Sequence, residues 1–175
     1  MNRCLRAAAL ATALATGFAL SACGGGSGPS AMSTLVVQLT DNHTDALDAV
    51  NVYFTSVTVK PVGEPPQTLA LTLSPNPQDL LVLQDAVTTL ATGVVTPGEY
   101  EFIMINLDED QSNVVEAGVP QPLRIPSEEI KILGGLSVEE GGTTTVTLDF
   151  DAEASLNRLG NGQWLMTPII VMADP

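Results

Sequence analysis

The sequence predicts an all-β fold, an antiparallel two-sheet sandwich of about eight or nine strands with one short helix, preceded by a cleaved signal segment. Three observations carry this. Short runs rich in valine, threonine and aromatics alternate with a period near two; glycine and proline turns punctuate them; and almost nothing keeps a helical spacing. Three stretches are expected: a leader at 1–22, a flexible tether at 23–33 and the β-sandwich domain at 34–175.

Arg3 and Arg6 precede an apolar run from Ala7 to Leu20, and small residues follow. That is the order of a secretory leader, and the apolar part is too short to span a bilayer core of roughly 30 Å. Ser21 and Ala22 stand directly before Cys23, whose thiol can form a thioether to diacylglycerol, so Cys23 is the expected lipid attachment site and first residue of the mature chain. Each buried methylene contributes roughly 0.8 kcal/mol, and stable attachment takes more than one acyl chain. Leu20-Ser21-Ala22-Cys23 resembles the lipidation box of bacterial lipoproteins. The resemblance implies two or three acyl chains, palmitate among them, and a cell-envelope address. Gly24 stands where an aspartate would retain such a protein at the inner membrane, which implies the outer membrane in a host that has one.

Gly24 to Ala31 carries no residue large enough to pack and reads as a tether with an end-to-end distance on the order of 15 Å. Downstream of Cys23 there are four basic and 20 acidic residues, a mature charge of −16. Such a surface repels phosphate backbones and anionic headgroups, which argues against nucleic acid and leaves the acyl chains to hold the membrane. Cys4 leaves with the leader and Cys23 is acylated, so no disulfide is available and a hydrophobic core must supply stability. About 145 residues are enough for one such core.

The first strands are TLVVQLT from Thr34 and VNVYFTSVTVK from Val50, separated by a polar turn. Val50, Val52 and Phe54 share a face; Val57 and Val59 are in the opposite phase, which predicts a bulge near Thr55 and Ser56. After Pro61–Pro66 comes a short strand with Leu69, Leu71 and Leu73 on one side. DLLVL fits either a buried strand or one helical turn. Asp85 to Thr92 is the best helical candidate, and Pro97-Gly98 makes a turn. Tyr100 to Leu107 is expected as a central strand covered on both faces and ended by the charges of Asp108-Glu109-Asp110. Short pieces follow at Leu123–Ile125, Ile130–Leu133 and Leu136–Val138. Gly141-Gly142 then turns into the cleanest alternation, with Val146, Leu148 and Phe150 inward and Thr145, Thr147, Asp149 and Asp151 outward. A polar loop precedes a last strand from Trp164 to Met172.

Leu39-Thr40-Asp41, Asp79-Leu80-Leu81, Pro97-Gly98-Glu99-Tyr100, Ile130-Lys131-Ile132, the run GTTTVTLDFDA from Gly142 to Ala152, and Pro168-Ile169-Ile170 come in a characteristic order. This order resembles a bacterial lipoprotein domain family of unknown function over nearly all of Thr34 to Val171. A proline common in that family after its Thr-Asp pair is missing at Asn42-His43-Thr44, so a looser turn is expected there. Pro-Gly-x-Tyr leading into a strand is also similar to transthyretin-like and immunoglobulin-like sandwiches, which speaks to architecture and not to activity.

Catalytic chemistry finds little support. A triad needs a base, and His43, the one histidine, falls in a polar turn where solvent exposure is the plain reading; no Gly-x-Ser-x-Gly elbow is present. One histidine and no free thiol make a zinc or copper site improbable. Calcium is the cofactor worth weighing, because Asp108, Glu109 and Asp110, then Asp41, Asp45 and Asp48, then Asp149 and Asp151 gather carboxylates, although no DxDxDG loop is present. Trp164 offers a sugar-stacking surface, yet it opens a strand and is followed by Leu165 and Met166, which points to packing at the core edge. The expectation is a lipid-anchored, non-enzymatic binding or scaffolding module with an envelope protein or glycan partner. The alternative is a carboxylate-dependent hydrolase acting on envelope polysaccharide.

Overall fold

The computed structural model describes residues 31–42, 47–84 and 86–173. The signal segment, Cys23, and the loop residues His43 and Asp45 lie outside them. The described residues form β1 (Ser33–Asn42), β2 (Ala49–Pro61), β3 (Gln67–Leu71), β4 (Gln78–Asp79), β5 (Thr88–Val95), β6 (Gly98–Glu116), β7 (Val119–Arg124), β8 (Glu129–Val138), β9 (Thr143–Asp151), β10 (Leu156–Arg158), β11 (Trp164–Met166) and β12 (Ile170–Met172). A 3-10 turn, Leu80–Leu83, precedes β5, and a four-residue helix, α1 (Ala152–Ser155), follows β9.

All β is as expected, but the antiparallel two-sheet sandwich is replaced by one continuous mixed sheet curled into a half-barrel. The hydrogen-bonded order is β10-β11-β7-β6-β2-β3-β5-β1-β9-β12, with β4 added to β2 and β8 to β6. β3 is the splice that joins what would have been two sheets: Gln67–Leu69 pairs with β2, and Ala70-Leu71 pairs with β5. Two pairs are parallel, β1 with β9 and β11 with β7. Alternation along a strand reports which face is buried and is blind to the direction of the neighbour, so the sequence could not show this.

The curl gives the sheet one inner face and one core. Leu35, Val37 and Leu39 of β1 lie beside Val146, Leu148 and Phe150 of β9, and Val50, Val52 and Phe54 of β2 close the same cluster. Leu35, Leu39, Phe54, Leu148 and Phe150 are fully buried. The bulge expected in β2 is present, since the register against β6 slips between Phe54 and Ser56 and so returns Val57 and Val59 to the core. Opposite that slip, the side chain of Asn76 stands in for a missing strand: its Oδ1 accepts from Phe54 N at 3.0 Å and its Nδ2 donates to Phe54 O at 2.8 Å.

Four local expectations need correcting. Of the helical candidate at Asp85–Thr92, Thr88–Thr92 fall instead on β5, which pairs with β1 from Ser33↔Val95 to Leu39↔Thr88; that ladder outweighs a weak local helix preference. The short helix lies at Ala152–Ser155, in the stretch read as a polar loop, where Asp151 Oδ1 accepts from Ala154 N at 2.8 Å. Ile130–Leu133 and Leu136–Val138 are one strand bent at Gly134 and Gly135, whose φ values of 67° and 78° favour glycine. Trp164 to Met172 is two strands, because the chain leaves β7's side of the sheet at Thr167–Ile169 and rejoins at β9. DLLVL, left open between strand and helical turn, takes the turn: Asp79 Oδ1 accepts from Leu81 N at 3.1 Å.

Candidate functional site

The strand expected to end at Asp108-Glu109-Asp110 does not end there. β6 runs on to Glu116, and the charged residues are extruded from it as a bulge. Tyr53 of β2 pairs with Asp108 and Asn51 pairs with Asn113, so Glu109, Asp110, Gln111 and Ser112 all stand against the single residue Val52. Bulges of this kind re-aim side chains and favour functional positions.

The excursion carries its own hydrogen bonds. Asp108 Oδ1 accepts from Gln111 N at 3.1 Å and its Oδ2 from Gln111 Nε2 at 2.6 Å. Ser112 Oγ donates to Asp108 O at 2.6 Å and accepts from Tyr53 N at 3.0 Å, restoring the ladder bond that the bulge displaces. On the far side Glu109 Oε2 accepts from Ile125 N at 2.7 Å, its Oε1 lies 3.7 Å from Arg124 Nε, and Glu109 N donates to Glu128 Oε1 at 3.0 Å. The loop is thereby clamped between β2 and the β7–β8 connection.

Beside the bulge is an open cleft of about 460 Å³, walled by the bulge, by Pro120–Arg124 of β7 and by Gln163. Its polar groups differ in freedom: Asn113 Oδ1 accepts from Asn51 Nδ2 at 3.0 Å, whereas the amide of Gln121 and the carboxylate of Asp110 make no hydrogen bond among the described residues. Pro120 and Pro122 lie on the stretch of β7 that only β6 pairs, the position where a strand tolerates proline. A second cleft of about 490 Å³ opens at the seam between β8 and β9, where Leu136, Thr144 and Val146 face Met172.

Of the acidic residues weighed for calcium, Asp41, Asp48, Asp108, Glu109 and Asp151 each accept hydrogen bonds from the protein itself. Asp41 is buried and its Oδ1 accepts from Ala152 N at 2.9 Å; Asp48 Oδ2 accepts from Gly118 N at 2.7 Å; Asp151 caps α1. Among the described residues no three or more His, Cys, Asp or Glu side chains gather so as to hold a metal ion. Trp164 is buried at the sheet's end with Arg158 5.6 Å from its ring, so the packing role fits and the ring is not offered for stacking.

All four basic side chains of the folded part are engaged. Lys60 lies 3.0 Å from Glu101, Arg124 3.7 Å from Glu109, Arg158 2.6 Å from Glu116, and Lys131 4.3 Å from the ring of Phe102. Sequence reasoning named Asp108, Glu109 and Asp110 but missed Ser112, Gln121 and Arg124. The available signal was the return of β-branched residues at Val114-Val115 after a polar interval, which marks an interrupted strand as well as a finished one.

No curated protein matches the chain. A solved structure from Bacteroides fragilis, provisionally described as a cell adhesion protein, overlays 84% of this chain and 46% of its own length with a TM-score of 0.32 and 10% identity. The chain thus spans a little under half of that protein. The pattern of DUF4382, described as a domain of unknown function, covers residues 32–168, which take in β1 to β11, the bulge and the cleft beside it. On that match the chain belongs to the DUF4382 family.

Proposed function

We propose that the protein is a non-catalytic binding or scaffolding domain of the cell envelope, anchored through lipid on Cys23, and that the cleft at the β6 bulge is its contact site. The observation that carries the reading is the bulge itself, four residues held out of a central strand by bonds that leave Asp110 and Gln121 free to meet a partner. A rigid support with a few unengaged polar groups is what a binding site needs.

Electrostatics narrow the partner. With three of the four cations of the folded part ion-paired, Lys131 over the ring of Phe102, and 16 acidic charges in excess after the lipidation site, a phosphate-rich ligand is disfavoured, and a neutral or donor-rich envelope component fits better. The hydrolase alternative asks for two carboxylates facing a substrate. Glu109 does reach the cleft, but one of its oxygens lies toward Arg124 and the other accepts from Ile125 N, which leaves it poorly placed for that work.

The test is in-cell photocrosslinking from position 121 in the cleft, with position 94 on the outer face of β5 as comparison. A discrete adduct from 121 and not from 94 is expected; identical adducts from both, or none from either, would remove the cleft from consideration. Replacing Cys23 with alanine is expected to move the protein from the membrane to the soluble fraction.

A further inference from the structure

The described chain begins at one end of the half-barrel, and that end can be mapped. Ala31 N donates to Glu140 Oε1 at 2.8 Å, Ser33 Oγ donates to Glu139 O, and Thr34 N donates to Gly142 O at 2.9 Å, so the chain emerges against the β8–β9 turn. Ser33 pairs with Val95, and Gly98 pairs with Val138, which brings the β5–β6 turn to the same pole. β6 starts there and runs away. Glu109 lies eleven residues beyond Gly98, a strand length of roughly 35 Å.

We infer that the domain stands on the membrane on this N-terminal pole, so that the β6 bulge cleft is held outward, toward a partner that is not a component of the same bilayer. The inference rests on the lipid anchor proposed at Cys23. Ala31 lies eight positions after Cys23, a reach of about 27 Å at full extension. That is shorter than the rise from the pole to the bulge, so the cleft meets the bilayer only if the domain lies on its side. Lying down would press flanks of a strongly acidic chain against the headgroups, a cost that grows with anionic lipid.

The pole itself suits contact. Met32, Val62 and Val94 are 53%, 60% and 58% exposed, and each belongs to this end: Met32 precedes Ser33, Val62 N donates to Glu99 O, and Val94 pairs with Thr34. Three separate apolar side chains do not make a docking site, but they lower the cost of resting against headgroups. Glu64, Glu139 and Glu140 share the pole, with Glu64 accepting from Thr96 Oγ1 at 3.0 Å, so the footing favours zwitterionic over anionic lipid.

The test uses the full lipidated chain on phosphatidylethanolamine–phosphatidylcholine vesicles that carry an energy acceptor on their headgroups. Cys4 leaves with the leader and the Cys23 thiol is blocked by lipid, so a fluorophore can be placed on a single new thiol, in Val94→Cys or in Gln121→Cys. Transfer from position 94 is expected to exceed that from position 121 several-fold. Equal or reversed transfer, in a protein that floats with the vesicles, overturns the orientation and leaves the anchor intact. Failure to float overturns the anchor, and the orientation falls with it.

Discussion

β9 and the outer half of β6 are both strands with a buried face and several carboxylates, and they dispose of their polar residues in opposite ways. In β9, alternation does everything: Val146, Leu148 and Phe150 turn inward, Asp149 and Asp151 turn out, and the register with β1 is unbroken from Thr143 to Asp151. In β6 six polar residues arrive in a row, Asp108 to Asn113, more than alternation can place, and the middle four are expelled together. The strand survives because Asp108 and Ser112 supply the bonds that the ladder loses. Where burial alone decides, period predicts structure; where side chains take over the backbone's hydrogen bonding, a strand can be interrupted without ending.

The largest effect should come from attacking the regular member of the pair. Phe150 is fully buried, and Phe150→Ala removes its transfer energy and leaves a cavity, a loss of about 3–5 kcal/mol. Urea unfolding followed by circular dichroism should show a lower midpoint with an unchanged slope. A loss below about 1 kcal/mol would mean the core collapses around the site far more readily than the register with β1 suggests.

The bulge should answer to a polar change instead. Ser112→Ala deletes the acceptor of Tyr53 N and the donor to Asp108 O in a residue only 5% exposed, at a cost of about 1–3 kcal/mol. Hydrogen exchange at the Tyr53 amide should accelerate by more than exchange in β9 does. If the two regions accelerate equally, the bulge is not a separately held unit.

This contrast also explains what the sequence revealed. The GTTTVTLDFDA run was legible as a strand down to which residue faces the core, and so was the slip in β2, because Val57 and Val59 leave the phase of Val50, Val52 and Phe54. β5 was misread because AVTTLA lacks the clear alternation of its neighbours, and its strand is fixed by pairing with β1, residues distant in sequence. The single curled sheet was illegible for the same reason, since β3's change of partner at Ala70 is a long-range event in a five-residue run. At the cleft, the acidic wall of Glu109 and Asp110 was readable, but Gln121 and Arg124 reach it only through the β6–β7 hairpin.

The start of β6 offers a subtler probe. Tyr100 is 3% exposed and its hydroxyl donates to Thr96 O at 2.7 Å. Burial first, and the negative charge of Glu64 second, hold its phenol above the ordinary tyrosine value of 10.0. A group whose pKa is raised on folding stabilises fully below its unfolded value and loses that contribution as pH climbs through the folded one. Stability should therefore fall as pH rises above about 10. Tyr100→Phe should cost about 1 kcal/mol at neutral pH and flatten that alkaline loss. An equally steep alkaline loss in the variant would place its origin elsewhere.

The smallest effect tests whether the bulge stands alone. The hairpin between β6 and β7 turns through Ala117 and Gly118, with φ of 50° and 75°, the mirror-image turn that suits strand twist but strains any side chain at its first position. Ala117→Asn should relieve that strain and stabilise by about 0.5–1 kcal/mol, with Gly118 N still donating to Asp48 Oδ2. Because the bulge carries its own bonds through Asp108 and Ser112, the slowing of amide exchange should be confined to Glu116–Val119 and leave Tyr53 unchanged. Were Tyr53 to slow in step with the hairpin, the bulge would be propped from its far end. It would then be no more self-sufficient than the register-bound strand with which it has been contrasted.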